Sequence, residues 1–448
     1  MSLKSLITSL SLALLADATY AAAPAAPPER IVIIHAGTLL DVPGKAPRGK
    51  STLLVRDGKI EQVRDGFVAP GSFKNLATDT QVIDLRDYYV LPGLIDSHVH
   101  LTSDKAGIEG QLAGVTNSIA DNAYEAAENA RKTLKAGFTT VRNLGDGDGV
   151  TLSLRNAIAS GKFPGPRILD AGRAISATSG HTDPRLGFRE DLWEALASDA
   201  ICDGADDCRR AVRTQVARGV DVIKMATTGG VNSRLNVGLG QQMFADEVRA
   251  VVETAHMYGK KVAVHAHGAD GIRLALEAGA DSIEHGTLLD APTLEIFARS
   301  KAWYVPTLST VNGYIERLRL NPDAYTGEVR KKIEWRIGIT GKSLALAVKA
   351  GIPIAFGTDA GVSLHGRNAD EFELMVKHGM SPAQAITAAT VNASQLLGLA
   401  DSIGTLEAGK QADLIAVDAD PLNDVSVLKN VRWVIKGGQV FKDPGAAP

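Results

Sequence analysis

The chain has 448 residues, 45% hydrophobic and 22% charged, which are globular values and exclude a disordered, fibrous or disulfide-scaffold protein. Lys plus Arg (48) nearly balance Asp plus Glu (51), so the charge gives no argument for a nucleic-acid partner. No apolar run reaches the roughly 18 to 20 residues needed to span a bilayer.

In chain order, Lys4, the apolar stretch Leu6 to Leu15 and the small residues Ala21-Ala22-Ala23 predict a signal peptide over residues 1–23, although Asp17 interrupts its tail. The mature protein is therefore expected to be exported, to a periplasm or beyond the cell. Residues 24–93 read as short strands and turns, with Asp57-Gly58 at the tip of a hairpin. Residues 401–448 look alike, with a second turn at Gly437-Gly438. Two β-rich ends around a different middle predict one small β-sandwich made from both termini.

The middle, residues 94–400, alternates apolar strands with amphipathic helices. The strands are expected at Leu94–His98, Thr139–Asn143, Arg167–Ala171, Asp221–Lys224, Val262–His265, Ser282–Glu284, Trp303–Pro306 and Ile354–Gly357. Many of the helices between them end in Gly just before the next strand. This pattern predicts an α/β fold of the (β/α)8 TIM-like barrel type. A doubly wound open sheet is the alternative, less favoured because no GxGxxG follows an early strand. Cys202 and Cys208, separated by five residues, are expected to pair as a local disulfide rather than remain free thiols.

Barrel chemistry sits at the C-terminal ends of the strands. Those ends carry His98 and His100, Lys224, His265 and His267, Glu284-His285, and Asp359. Side chains two apart on a strand share a face, so His98 and His100 can grip one ion together. Any single histidine here could be a satisfied core residue. Of ten in the chain, however, five lie at or just past strand ends among apolar neighbours, and burying them unpartnered would be costly. A metal supplies the partner. Lys224 alone could equally be a surface lysine. As an ammonium it would repel a metal, and it becomes a ligand only after reaction with carbon dioxide to give a carbamate.

The order HxH, Lys, His, His, Asp resembles the amidohydrolase superfamily, in its binuclear carboxylated-lysine subtype. VLPGLIDSHVHL before the first pair and GTLEAGKQADLIAVDADPL near the C-terminus are similar to that superfamily's flanking segments. The resemblance implies His98, His100 and Asp359 on one divalent ion, His265 and His285 on a second, and Lys224 bridging both as N6-carboxylysine; the ions are usually zinc. The motifs GFTTVRNLGD, ATSGHTD, IKMATTGGV, VAVHAHG and IEHGT look most like the bacterial Xaa-Pro dipeptidase (prolidase)-like branch. That branch includes amidohydrolases that split ochratoxin A into its phenylalanine and isocoumarin parts. It also implies a homo-oligomer, with an octamer as one form.

The implied activity is hydrolysis of an amide with an amino acid as leaving group: a dipeptide, an N-acyl amino acid or ochratoxin A. Two ions lower the pKa of a shared water and polarise the scissile carbonyl. Asp359 is placed to take the water's proton and deliver it to the leaving amine. His181 and His267 are candidate substrate contacts. Arg234 and Tyr314 are candidate clamps for the carboxylate of the leaving group. The alternatives are a hydrolase of cyclic amides or lactones, and a non-catalytic zinc-binding exported protein.

Overall fold

The computed structural model describes residues 30–76, 80–234 and 238–445, so the stretch read as a signal peptide lies outside the described residues. Seven strands come from the two ends of the chain: β1 (Ile31–Leu39), β2 (Ser51–Arg56), β3 (Lys59–Asp65) and β4 (Gln81–Pro92), then β12 (Leu414–Val417), β13 (Trp433–Lys436) and β14 (Gln439–Lys442). Seven lie between them: β5 (Leu94–Val99), β6 (Phe138–Asn143), β7 (Arg167–Asp170), β8 (Val222–Ala226), β9 (Lys261–Ala266), β10 (Ser282–His285) and β11 (Trp303–Val305).

The terminal strands form one hydrogen-bonded sheet in the order β14-β13-β12-β4-β1-β2-β3. The sheet folds back on itself. Ile60 N donates to Lys410 O at 2.8 Å and Ala412 N to Gly58 O at 2.8 Å, which brings the β3 edge against the lead-in to β12. Val32, Ile34 and Ala36 of β1, spaced two apart, share the enclosed cluster with Leu53, Ile83, Leu414 and Ile435. The expected sandwich core is thus enclosed by a single curled sheet. The β2–β3 turn is tight because Asp57 (φ 47°) and Gly58 (φ 79°) are both left-handed, the conformation a two-residue hairpin requires.

The central strands form two parallel runs, β5-β6-β7 and β8-β9-β10-β11. Two irregular segments join them. After β7 the chain stays extended, and Ile175 N donates to Lys224 O and Ala226 N to Ile175 O, both at 2.9 Å, tying β7 to β8. After β11 the eighth position is filled by residues 353–360. Ala355 N donates to Tyr304 O at 3.0 Å on one side; Ser97 N to Phe356 O at 2.9 Å and His100 N to Ala360 O at 2.7 Å follow on the other. The ring closes as a barrel, which removes the open sheet from consideration. The Ile354–Gly357 segment serves as the eighth stave through these scattered bonds rather than a regular ladder.

Helices Ile119–Lys135, Ala205–Ala217, Ala245–Met257, Ala269–Glu277 and Ala291–Arg299 pack outside the staves. Left-handed glycines such as Gly137 (φ 101°) and Gly279 (φ 90°) turn the chain from a helix into the next strand. The helical run that leads into the eighth stave is two helices, Gly327–Ile339 and Lys342–Lys349, broken at the left-handed Gly341 (φ 80°). Cys202 and Cys208 are disulfide-bonded. Among the described residues no helix is long and apolar enough to cross a membrane.

Candidate metal centre

Strand periodicity carries the first donors. His98, near the end of β5, and His100, just beyond it, point to one side and meet Asp359 from the eighth stave. His100 Nε2 lies 3.2 Å and His98 Nε2 3.5 Å from the same Asp359 oxygen, Oδ1. Across the mouth, His265 (β9), His267 (one residue past β9) and His285 (β10) form a second group whose ring nitrogens lie within 4.8 Å of one another. The groups are continuous: the His98 and His285 rings are 5.0 Å apart, as are those of His267 and His285. His267, expected as a substrate contact, therefore stands inside the second donor group.

Each ring is fixed by its other nitrogen, which leaves one free for the cavity. His98 Nδ1 is 2.9 Å from Glu284 Oε2, His285 Nδ1 is 2.7 Å from Thr307 Oγ1, and His267 Nδ1 is 2.7 Å from Thr287 Oγ1. Non-glycine residues take left-handed φ at three strand ends: His285 (70°), Thr307 (48°) and Asp359 (57°). Such backbone costs on the order of 1–3 kcal/mol per residue and is kept where the site needs the side chain there.

Lys224, at the centre of β8, is buried, with Nζ 3.5 Å from His98 Nε2. Among the described residues no carboxylate lies within 4 Å of this ammonium. Burial lowers its pKa to about 8, against the opposing pull of Glu284 and Asp359. The buried site also holds His98 down to about 4, through burial first and then the Lys224 charge. For Asp359, burial alone would raise the pKa, but His98, His100 and Lys224 outweigh it and hold the carboxyl at about 2. The result is a neutral His98 imidazole beside an ionised Asp359 carboxylate, the protonation states that ligation requires. A buried amine without a counterion, between two groups of free ring nitrogens, fits a centre with a bridging anion.

Glu284 carries weight that the sequence pattern did not reveal. Its carboxylate also accepts from Arg142 Nη2 at 2.8 Å, and Arg142 donates to Ser97 O and Ser282 Oγ. Both side chains are almost fully enclosed in the barrel. The only cue was that Glu284 precedes His285. His365, also unremarked in the sequence, is buried with its Nε2 2.9 Å from His100 O, and so props the first pair.

The donors line a cavity of about 400 Å³ that also touches His181, Asn232, Thr310, Tyr314 and Arg336. The His181 ring stacks on His265 at 4.0 Å, and its Nδ1 meets Ser233 Oγ at 2.7 Å. The Tyr314 hydroxyl accepts from Asn232 Nδ2 at 3.1 Å. Arg234 does not join them. It lines a neighbouring cavity and lies over the Phe188 ring at 3.9 Å. Arg336, which the sequence did not single out, lines the donor cavity instead.

The sequence matches the Amidohydrolase family over residues 89–441. The chain belongs to this family. It is 32% identical to the ochratoxinase of Aspergillus niger over 441 residues, covering 94% of this chain and 88% of that protein. The crystal structure of a Xaa-Pro dipeptidase with methionine bound in its active site superposes with a TM-score of 0.86 at 39% identity, covering 92% of this chain and all of that one. The A. niger ochratoxinase structure gives a TM-score of 0.80 at 30% identity, over 94% and 97% of the two chains. This amidohydrolase is a hydrolase whose histidine clusters can hold metal.

Proposed function

We propose that the protein is a metal-dependent amidohydrolase that releases an amino acid from a dipeptide or an N-acyl amino acid, ochratoxin A among them. The observation that carries this is the convergence of two donor groups on one cavity beside the buried Lys224 amine, which among the described residues has no carboxylate partner, in a chain akin to an ochratoxinase and a dipeptidase.

His98, His100 and Asp359 would hold one divalent ion and His265 and His285 the other, with zinc the expected metal. When bound, such a pair supplies an acidified water and an electrophile for the carbonyl. Lys224 adds carbon dioxide through its neutral amine, losing a proton as the nitrogen–carbon bond forms, and so becomes the anion its surroundings lack. Asp359 accepts the proton of the attacking water and passes it to the amine that leaves. His181, whose ring is fixed through Nδ1 by Ser233 and stacks on His265, can donate from Nε2 to the carbonyl oxygen. Glu284 and Arg142 keep His98 in the tautomer that presents Nε2.

The test is an assay of zinc-loaded protein on dipeptides, N-acyl amino acids, ochratoxin A, hydantoins and lactones, with and without chelator. Chelator-sensitive release of an amino acid is the expected result. Turnover confined to hydantoins or lactones would reassign the reaction to cyclic substrates. Bound metal with no turnover on any of them would make the protein a binding module.

A further inference from the structure

Helix Gly327–Ile339 buries Val329, Ile333 and Arg336, which are four and three residues apart and therefore share one face. Arg336 thus occupies a position where an apolar residue would be expected. It is only 3% exposed. Among the described residues the guanidinium makes one hydrogen bond, from Nη1 to Thr340 Oγ1, a weak 3.4 Å contact one turn along the same helix. Among the described residues no carboxylate lies within 4 Å of the guanidinium. A guanidinium buried without an anion is costly, and proteins that keep one normally pair it. Among the described residues no acceptor lies opposite its remaining N–H groups, and Arg336 lines the donor cavity, which Tyr314, Thr310 and His267 also line.

We infer that Arg336, with Tyr314 on the same wall, is the anchor for the carboxylate of the leaving amino acid, so that substrates ending in a free carboxylate are selected over their neutral counterparts. This rests on the proposed function for its substrate; of the two clamps expected from the sequence, Arg234 and Tyr314, it keeps Tyr314 and replaces Arg234. A planar guanidinium suits a carboxylate because two parallel N–H groups meet two oxygens. Held there, the carboxylate fixes how far the scissile bond stands from Asp359 and the histidines.

The experiment compares wild type with Arg336→Met, which fills the apolar face at similar length, and with Arg336→Lys, which keeps the charge but loses the fork. Zinc-loaded enzymes are assayed on an N-acyl amino acid and on its C-terminal amide, following loss of the acyl group from each. Calorimetry measures binding of free L-methionine and L-methioninamide. Wild type should prefer the carboxylate in both assays. In Arg336→Met, kcat/KM for the carboxylate substrate should fall about thirtyfold or more, chiefly through KM, while the amide loses far less and the bound metal is retained. Arg336→Lys should fall in between. If Arg336→Met does not fold, the intermediate loss in Arg336→Lys carries the test. Equal losses on acid and amide, or equal wild-type binding of methionine and its amide, would overturn the inference. The two ideas fail separately. Arg336-dependent methionine binding without hydrolysis of any acyl amino acid would sink the proposed reaction and keep the anchor. Hydrolysis indifferent to the carboxylate would do the reverse.

Discussion

The donors on the cavity floor sit at or just past the ends of barrel strands, whereas the facing wall is made by His181 from the long segment after β7 and by Tyr314 and Arg336 from two helices after β11. The floor is held by backbone ladders and by buried pairs such as Arg142–Glu284. The wall is held by side chain to backbone bonds, for example Lys332 Nζ to Ser233 O at 2.7 Å. A strand end fixes a side chain to within its rotamer, so the floor suits chemistry that tolerates little displacement. A loop and helix wall can vary without disturbing the barrel, so it suits the choice of substrate.

If this division holds, removing floor residues abolishes turnover while removing wall residues shifts substrate preference. The largest effect is expected for Lys224→Ala. Without the bridging anion, most activity and one ion should be lost, and a short-chain carboxylic acid should restore part of both by standing in for the carbamate. Metal analysis alongside turnover checks this. Two tightly bound ions in the variant would count against the bridge.

Asp359→Asn should follow, with turnover down by about 10²- to 10⁴-fold, the range for losing a general acid–base group. Asn keeps an oxygen ligand, so bound metal should change far less than rate. A zinc titration separates the two: recovery of turnover with added zinc would reduce Asp359 to a ligand.

Glu284→Gln tests the layer beneath the floor. Breaking a buried pair leaves Arg142 uncompensated and should cost about 3–5 kcal/mol of stability at neutral pH. Metal affinity should weaken about 10- to 100-fold as His98 loses its support. The pH dependence has a definite sign. Burial would raise the Glu284 pKa, but Arg142 and His98 outweigh it and hold it at about 2, below the ordinary 4.5. A depressed carboxylate contributes stability that is present above the ordinary value and lost as pH falls from about 4.5 toward 2. Urea unfolding of wild type should weaken across that window, and the Gln variant should show a shallower slope. Identical slopes would place the acid sensitivity elsewhere.

The same division explains what the sequence made legible. The strand period places His98 with His100; His265, His285 and Asp359 stand out because polar groups end apolar runs, and Lys224 because it interrupts one, at the centre of β8 rather than at its expected end. The barrel itself follows from the alternation of strands and helices, with Gly punctuation between them. The wall was hidden because its cues are those of ordinary surface. Arg336 lies among Lys331, Lys332 and Arg330, and only the packing of its helix reveals that it faces inward. Glu284 was visible as a neighbour of His285, but its partner Arg142 comes from a strand 142 residues away. Arg234 looked like a clamp because its loop is Gly-rich and follows β8. Its stacking on Phe188 depends on a fold of the 171–204 segment that no local pattern encodes.

The smallest effect should come from the disulfide, and it probes whether wall and floor are separable. Cys202 and Cys208 are both buried, and Cys202 N donates to Ser176 O at 3.0 Å, at the base of the segment that carries His181. The bridge spans a sequence separation of only 6, so the loop-closure argument allows it about 2 kcal/mol. The double variant Cys202→Ala/Cys208→Ala should therefore fold, with a modestly lower Tm. The strand-end donors do not touch the bridge, so metal content and kcat should hold. The His181 segment loses a staple at its root, so KM should rise by a small factor. Steady-state kinetics with metal analysis on the same preparation decides the matter. A fall in kcat together with loss of metal would mean that the segment after β7 helps to hold the floor, and that the two regions act as one.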